Sequence, residues 1–263
     1  MIKDTFFSLP RFMNLCRKEM VENWKSNVLR MVLMYGVMAV VMVWNGYFQY
    51  RHHNTAYFIR HANADPAWEF ILISFLCFLF AFGCLSASLL MEKMKNKTSR
   101  LSALMVPSTS FEKFFSRWLV STIVFLVVFL IAFKLADYTR VSIVGSGKRW
   151  FLFNETYELI FVLSIYCFIQ SLFVLGSSVW PKNSFLKTFV TVTIIVLIYV
   201  VVGIVVGNML FNGSNNRDCS YIFSSITEQQ AFTLASIAFV LFALVNCTLA
   251  YFRFKESEII QRM

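Results

Sequence analysis

Six long stretches of the chain contain no charged residue, and each is rich in Phe, Leu, Ile, Val and Ala. A bilayer core about 30 Å thick needs about 20 helical residues to cross it. The shortest stretch, 118–133, reaches that length by continuing through Lys134 to Ala136, because a lysine near a helix end can extend to the lipid headgroups. The pattern predicts an all-α integral membrane protein with six transmembrane helices, at about 29–49, 69–91, 117–136, 158–180, 187–209 and 230–252.

A further helix is predicted before the first span, over 10–27. Pro10 suits its first turn, and cations such as Arg17 lie largely around its polar faces. Such a helix either lies in the membrane interface or packs on neighbouring helices as an ordinary juxtamembrane segment, and the sequence leaves both readings open. Its apolar side chains recur at spacings of three and four residues: Phe12, Leu15, Cys16, Met20 and Trp24.

The basic segment 92–117, between spans two and three, contains a predicted short helix over 98–106. Pro107 ends it, because the residue before a proline is disfavoured in the helical conformation. The helix carries one apolar stripe with a charged rim, formed by Arg100, Leu101, Leu104 and Met105.

A second helix is predicted to begin directly after Pro107 and to run into span three. Thr109 and Glu112 have the spacing of a capping box, in which each side chain bonds the backbone N–H of the other residue. The alternative is that 92–117 is only a positively charged tether between two spans.

Composition and charge agree with a membrane protein and orient it. The chain is 58% hydrophobic and 14% charged, whereas soluble domains are about 45–50% apolar and about 25% charged. If the N-terminus is inside, 17 of the 24 lysines and arginines fall in the inner segments. The positive-inside rule then places both termini and 92–117 in the cytoplasm. The outer loops are expected at 51–68, about 137–157 and about 212–228.

Catalytic, metal-binding and nucleotide-binding chemistry is not expected. Gly145–Lys148 lacks the first glycine and the final Ser or Thr of a phosphate-binding loop. His52, His53 and His61 share one loop with Asp65, where nothing fixes the geometry of a metal site. Within the six charge-free stretches and the extension of the third to Ala136, the one charged residue is Lys134, which counts against an intramembrane enzyme or an ion-coupled carrier. We therefore expect a chain that is not an enzyme, binds no cofactor directly and does not bind nucleic acid.

Small and polar residues within the spans have two interpretations. Gly203 and Gly207 in span five, like Gly83 and Ala87 in span two, have the four-residue spacing that lets helices pack closely. The polar residues either line a path for a substrate or form hydrogen bonds between helices. They are Gln170, Thr191, Thr193 and Asn246.

The chain resembles the membrane subunit of a type-2 ATP-binding-cassette (ABC) exporter along nearly its whole length. The likeness is strongest at 98–113, which is similar to that family's small apolar helix, proline, hydroxyl-bearing run and acidic–basic pair. Residues 12–25 resemble its N-terminal connecting helix, and 251–259 its aromatic and basic exit from span six. One departure is 208–228, which is short and polar where the family usually has re-entrant outer helices.

The resemblance implies a single exporter-type transmembrane domain over 1–263. It implies a permease in the bacterial inner membrane that is driven by ATP hydrolysis in a separate ABC ATPase subunit. A second permease subunit, identical or similar, would complete the pathway. The ATPase would contact the coupling helix, with Arg100, Leu101, Leu104, Met105, Pro107 and Glu112 as the coupling residues. The alternative function is a non-transporting membrane subunit with an assembly or sensory role.

Overall fold

The computed structural model describes residues 7–22, 24–52, 68–91, 108–144, 156–180, 182–211 and 228–260. These residues are almost entirely helical, and no strand occurs among them. A π-helical turn, Val120–Val124, joins the helices Ser110–Leu119 and Phe125–Val144 into one continuous helical segment. The helices are α1 (Leu9–Glu22), α2 (Trp24–His52), α3 (Trp68–Ser88), α4 (Ser110–Leu119), α5 (Phe125–Val144), α6 (Thr156–Val179), α7 (Ser184–Phe211) and α8 (Glu228–Ile260).

Six helices in the described part of the chain are long and apolar enough to cross a membrane. The prediction of an all-helical protein with six spans is therefore confirmed at the level of fold class. The spans one to six are Trp24–Phe48, Glu69–Ser88, Ser110–Val144, Tyr157–Val179, Ser184–Val202 and Gln229–Glu256. Span three is the longest at 35 residues, about 15 more than a bilayer needs, so part of it extends beyond the lipid core.

Spans one, two and three share one apolar core, which span four closes with the buried ring of Tyr166. Phe75 of span two meets Phe133 of span three edge to face, with ring centroids 5.0 Å apart, a favourable geometry for aromatic pairs. The other buried members are Met34, Met38, Met42, Ile71, Leu79, Phe129, Ala132 and Ala136.

A second core lies where spans two, four and six meet the start of span three. Phe114 of α4 packs there against Phe254 of α8, at 6.1 Å between ring centroids. The other buried members are Cys84, Ala87, Leu90, Met91, Phe173, Val174 and Ala250. The two cores together hold spans two, three and four at the centre of the bundle.

Span five packs on this bundle near its own beginning. Phe185 stacks on Phe173 of span four at 5.7 Å, and Thr188 lies directly against Gly176. From 193 to 202 every side chain of the helix is exposed, and Tyr199 is 74% exposed. This apolar surface is suited to contact with lipid or with another membrane protein.

One boundary differs from the sequence-based expectation. The residues described within the predicted helix 10–27 are helical, in α1 up to Glu22 and in α2 from Trp24. The predicted outer loop 137–157 is wrong at its start, because α5 continues to Val144. Arg140 donates to Asp137 at 2.8 Å one turn earlier and is only 2% exposed. Two charges that pair within one helix do not force the chain to leave the helical conformation.

Candidate functional site at the start of span three

Glu112 lies in the first turn of α4, at the beginning of span three. Its side chain is fully buried, with 0% exposure. The backbone N–H of Thr109 donates to Glu112 Oε2 at 3.2 Å, and Thr109 Oγ1 accepts from the Glu112 N–H at 3.3 Å. This is the capping box that the sequence predicts, and it fixes where span three begins.

The same carboxylate also holds α1. Its Oε1 accepts from the backbone N–H of Ser8 at 2.8 Å and from Arg11 Nη2 at 3.4 Å. A buried carboxylate is tolerated when charged and backbone donors surround it. Glu112 therefore joins the first turn of α1 to the first turn of α4.

A second ion pair joins the same two helices further along. Arg117 Nε donates to Glu19 Oε1 at 3.4 Å, and the two side chains are only 7% and 17% exposed. Glu19 lies eight residues after Arg11, about 12 Å along the axis of α1. We call Arg11, Glu19, Glu112 and Arg117 the charged junction. Two anchors at this separation fix the direction of α1 as well as its position.

Aromatic rings surround the charged junction and extend it to span six. Phe12 of α1 packs on Phe115 of α4 at 5.4 Å, and Phe111 meets Tyr251 of α8 edge to face at 5.9 Å. The guanidinium of Arg117 lies 6.0 Å from the ring centroid of Phe254, within the range of a cation–π contact. The N-terminal helix, the start of span three and the end of span six therefore form one packed unit.

The residues predicted for the connecting helix are divided between two environments. Phe12 and Leu15 are buried, whereas Met20 is 40% exposed and Arg17 is also exposed. Trp24 belongs to α2 and is 58% exposed. One side of α1 therefore packs on its neighbour, and the other side presents apolar and basic side chains to the surroundings. Burial and the adjacent Glu19 raise the pKa of the Cys16 thiol on the packed side.

The predicted coupling helix itself lies outside the described residues. Its residues are Arg100, Leu101, Leu104, Met105 and Pro107. Glu112 is the one predicted coupling residue that the structure describes, and the capping box begins at Thr109, two residues after Pro107. The charged junction thus adjoins this segment along the chain.

Polar residues of the spans form a second group, in contacts between helices. Gln170 Nε2 donates to the backbone oxygen of Ser121 at 3.0 Å, and Asn246 Nδ2 donates to Ser171 Oγ at 3.1 Å. The hydroxyls of Thr191 and Thr193 instead bond carbonyls of their own helix, four residues back. Of the two interpretations, hydrogen bonding between helices describes Gln170 and Asn246 in this structure.

The small-residue patterns have different environments. Gly83 lies against the ring of Tyr166, and Ala87 is fully buried in the second core. Gly203 and Gly207 both lie within α7. The pattern in span two therefore coincides with a close contact between spans two and four.

Sequence reasoning did not single out Arg11, Glu19 or Arg117 as parts of a site. A signal for Glu19 and Arg117 was present, because oppositely charged residues occur both in the amphipathic helix and just before the apolar run of span three. In the described ranges, no group of three or more His, Cys, Asp or Glu side chains is placed to hold a metal ion.

Comparison with known proteins found no match: no protein-family model, no curated protein and no solved structure resembles the chain significantly.

Proposed function

We propose that this chain is the permease subunit of an ABC exporter in the bacterial inner membrane. A separate ATPase subunit binds and hydrolyses the ATP, and this chain binds no cofactor itself. The observation that carries the proposal is the charged junction, which ties an N-terminal helix to the beginning of span three. In the proposed orientation, both termini and the charged junction lie on the cytoplasmic side.

The charged junction supports energy coupling because it is stiff. Glu112 is fully buried and accepts hydrogen bonds from Ser8, Arg11 and Thr109 at the beginnings of two helices, and a buried charge is costly to leave without such partners. A displacement of the predicted helix 98–106 would therefore move α1 and span three together instead of being absorbed by a flexible joint. A segment acting only as a tether gains nothing from so rigid an attachment.

The environment of the polar span residues supports a pathway shared between two subunits. Gln170 and Asn246 are engaged with neighbouring helices of the same chain. Span five presents a long apolar surface to its surroundings. We therefore propose that a second permease subunit, identical or similar, completes the pathway, while α1 contacts the lipid interface through exposed side chains such as Met20 and Arg17.

Replacing Leu104 with Asp tests the proposal. If Leu101, Leu104 and Met105 occupy an apolar groove of the ATPase, the substitution places an unpaired charge in a desolvated contact, which is heavily penalised. We expect at least a tenfold loss of co-purified ATPase, which corresponds to about 1.4 kcal/mol or more. Membrane expression should be unchanged, because residue 104 is predicted to lie outside the lipid.

Arg100→Glu is the matched control in the same helix. A charge at the rim of an interface mainly affects the association rate and its salt dependence, so this variant should retain most of the bound ATPase at physiological salt. Unchanged ATPase binding in Leu104→Asp would contradict the coupling role. If no ATPase co-purifies with the unsubstituted chain, the alternative of an assembly or sensory subunit is supported instead.

A further inference from the structure

The π-helical turn Val120–Val124 changes the hydrogen bonding of one carbonyl in span three. The backbone N–H of Phe125 donates to Val120 O, five residues back, and to Thr122 O. In an α-helix the same N–H would donate to Ser121 O, four residues back. The turn therefore contains one residue more than the α-helical turn it replaces, and Ser121 O loses its usual donor.

Two side chains from neighbouring spans donate to Ser121 O. Ser86 Oγ of span two and Gln170 Nε2 of span four each lie 3.0 Å from it, and Gln170 is only 2% exposed. In a membrane, neighbouring helices and their side chains are one means by which a backbone group freed at an irregular turn is satisfied. The two donors thus stabilise the π-helical form of the turn, because an α-helical turn would pair Ser121 O by itself.

The hydrogen bond from Ser86 differs from those of other serines in the spans. Ser88, Ser164 and Ser171 each donate to the carbonyl three residues back in their own helix. A bond of that kind is the ordinary way to satisfy a hydroxyl in a helix. Ser86 instead bonds another span, at a carbonyl that the π-helical turn makes available.

The π-helical turn also separates two parts of span three that pack on different neighbours. Before it, Phe114 of α4 packs on Phe254 of span six, and the charged junction holds α1. After it, Phe133 of α5 lies in the apolar core shared with spans one and two. The turn therefore lies between the charged junction and the core of the spans.

We propose that this turn is a conformational joint, which Ser86 and Gln170 hold in its π-helical form. When both donors leave Ser121 O, the turn becomes α-helical, because the N–H of Phe125 then pairs that carbonyl within the helix. The extra residue is no longer absorbed by the turn, so α4 and the attached α1 rotate relative to α5 by up to about 100°, the angle of one residue. Short π-helical turns are frequent at functional sites.

The joint rests on the contacts of this chain, whereas its use in transport rests on the proposed function. In that use, a displacement of the charged junction by the ATPase would change the form of the turn and so reach the core of the spans. Ser86 and Gln170 are positioning residues, because they act on the backbone and not on a substrate. The isolated chain in lipid nanodiscs suffices to test the joint, so its failure is distinct from a failure of the exporter assignment.

Deleting one residue tests whether the turn holds an extra residue. Ile123 lies within the turn and Ile131 in the regular part of α5, and they are 47% and 64% exposed. Deletion of Ile123 should make the turn α-helical while both flanking segments keep their packing, with Tm within about 4 °C of the unsubstituted chain. Deletion of Ile131 should rotate one part of α5 by about 100° relative to the other, and Tm should fall much further. Equal losses in the two deletion variants would overturn the proposal.

The role of Gln170 is tested in the same two backgrounds. In the unsubstituted chain, Gln170→Leu removes one of the two donors to Ser121 O, and Tm should fall by about 2–4 °C. In the chain lacking Ile123, a backbone N–H pairs that carbonyl, so the same substitution should lower Tm by less than half as much. Asn246→Leu is the matched control, because its amide bonds Ser171 Oγ and not Ser121 O, and its loss should be the same in both backgrounds. If Gln170→Leu behaves like this control, Gln170 does not hold the turn.

Distances between spin labels measure the movement itself. Arg17→Cys in α1 and Tyr138→Cys in α5 place labels on either side of the turn at exposed positions, with the native cysteines replaced by serine. The labelled chain should give one main distance, and Ser86→Ala/Gln170→Leu should add a second, because the α-helical form becomes populated. The same two substitutions in the chain lacking Ile123 should again give one distance. An unchanged single distance in Ser86→Ala/Gln170→Leu, or a second distance that persists without Ile123, would refute the joint.

Discussion

Two glycines determine how closely span four approaches its neighbours. A Cβ atom added at Gly83 would lie 2.6 Å from Cε2 of Tyr166, and one added at Gly176 would overlap the side chain of Thr188. In lipid there is little hydrophobic driving force between helices, so close van der Waals packing carries much of their association. These two positions therefore carry more packing energy than their small size suggests.

Gly83→Ala should destabilise the fold by about 1–3 kcal/mol, the usual cost of forcing an extra methyl group into a packed core. The Tyr166 ring is only 2% exposed, so it has little room to move aside. Gly36→Ala is the control, because no described atom lies within 4 Å of its new Cβ. Thermal unfolding in nanodiscs compares the two variants, and equal Tm values would contradict the close contact.

At the scale of single residues, the sequence predicted one partner of the contact between spans two and four. The spacing of Gly83 and Ala87 predicts a close helix approach, but it does not name the residue that fills the space. Tyr166 is about 80 positions away, and a side-chain period within one helix carries no information about such a partner. The hydrogen bond from Gln170 to the Ser121 carbonyl was likewise unpredictable, because it joins two spans that are far apart in the sequence.

The attachment of α1 shows how burial decides the value of an ion pair. Lys18 and Glu22 pair on the outer side of α1 at 3.5 Å, where both are nearly half exposed. Such surface pairs contribute about 0–1 kcal/mol. The pair between Glu19 and Arg117 and the bonds to Glu112 are largely protected from water. We therefore expect the charged junction, and not the outer pair, to keep α1 in place.

Glu112→Ala should release α1 from α4, since it leaves Arg11 and two backbone N–H groups without their carboxylate. The Cys16 thiol reports this, because burial beside Glu19 raises its pKa and keeps it protonated and slow to react while α1 is docked. Alkylation of Cys16 by a membrane-permeant maleimide should become at least about tenfold faster, as expected for a loss of 1.4 kcal/mol or more.

Glu22→Ala is the control for that measurement, since it removes an exposed carboxylate from the same helix. It should leave the alkylation rate of Cys16 nearly unchanged. Equal rates in Glu112→Ala and the unsubstituted chain would mean that aromatic packing, such as the contact of Phe12 with Phe115, holds α1 without the charged junction.

The elements themselves were predictable where their cause is local. Lipid imposes length and apolarity on each span, and the capping box at Thr109 and Glu112 depends on residues three apart. The end of span three was not predictable in the same way. Asp137 and Arg140 read as the beginning of a loop, but Arg140 is buried against Gly46 of span one. Only the tertiary contact makes a charged turn part of a helix.

At the scale of the whole molecule, the distribution of charge and of exposed surface are separate sources of information. The exposed apolar side chains of span five indicate where the protein contacts lipid or a neighbouring protein within the plane of the membrane. The 17 cations on one predicted side indicate in which direction the chain is inserted across the membrane. A helical bundle of this kind has the same internal contacts in either orientation, so the direction of insertion needs a measurement in cells.

Orientation is best tested with two cysteines on opposite predicted sides. Cys219 falls in the predicted outer loop 212–228 and lies outside the described residues, and we expect an impermeant thiol reagent to label it in intact cells. Cys16 is a poor inner reporter because it is buried, so its silence would have two explanations. Arg17 is exposed on the same helix, and Arg17→Cys should be labelled only after the membrane is permeabilised. Labelling of Arg17→Cys in intact cells would reverse the orientation, and it would place the charged junction on the side without ATP.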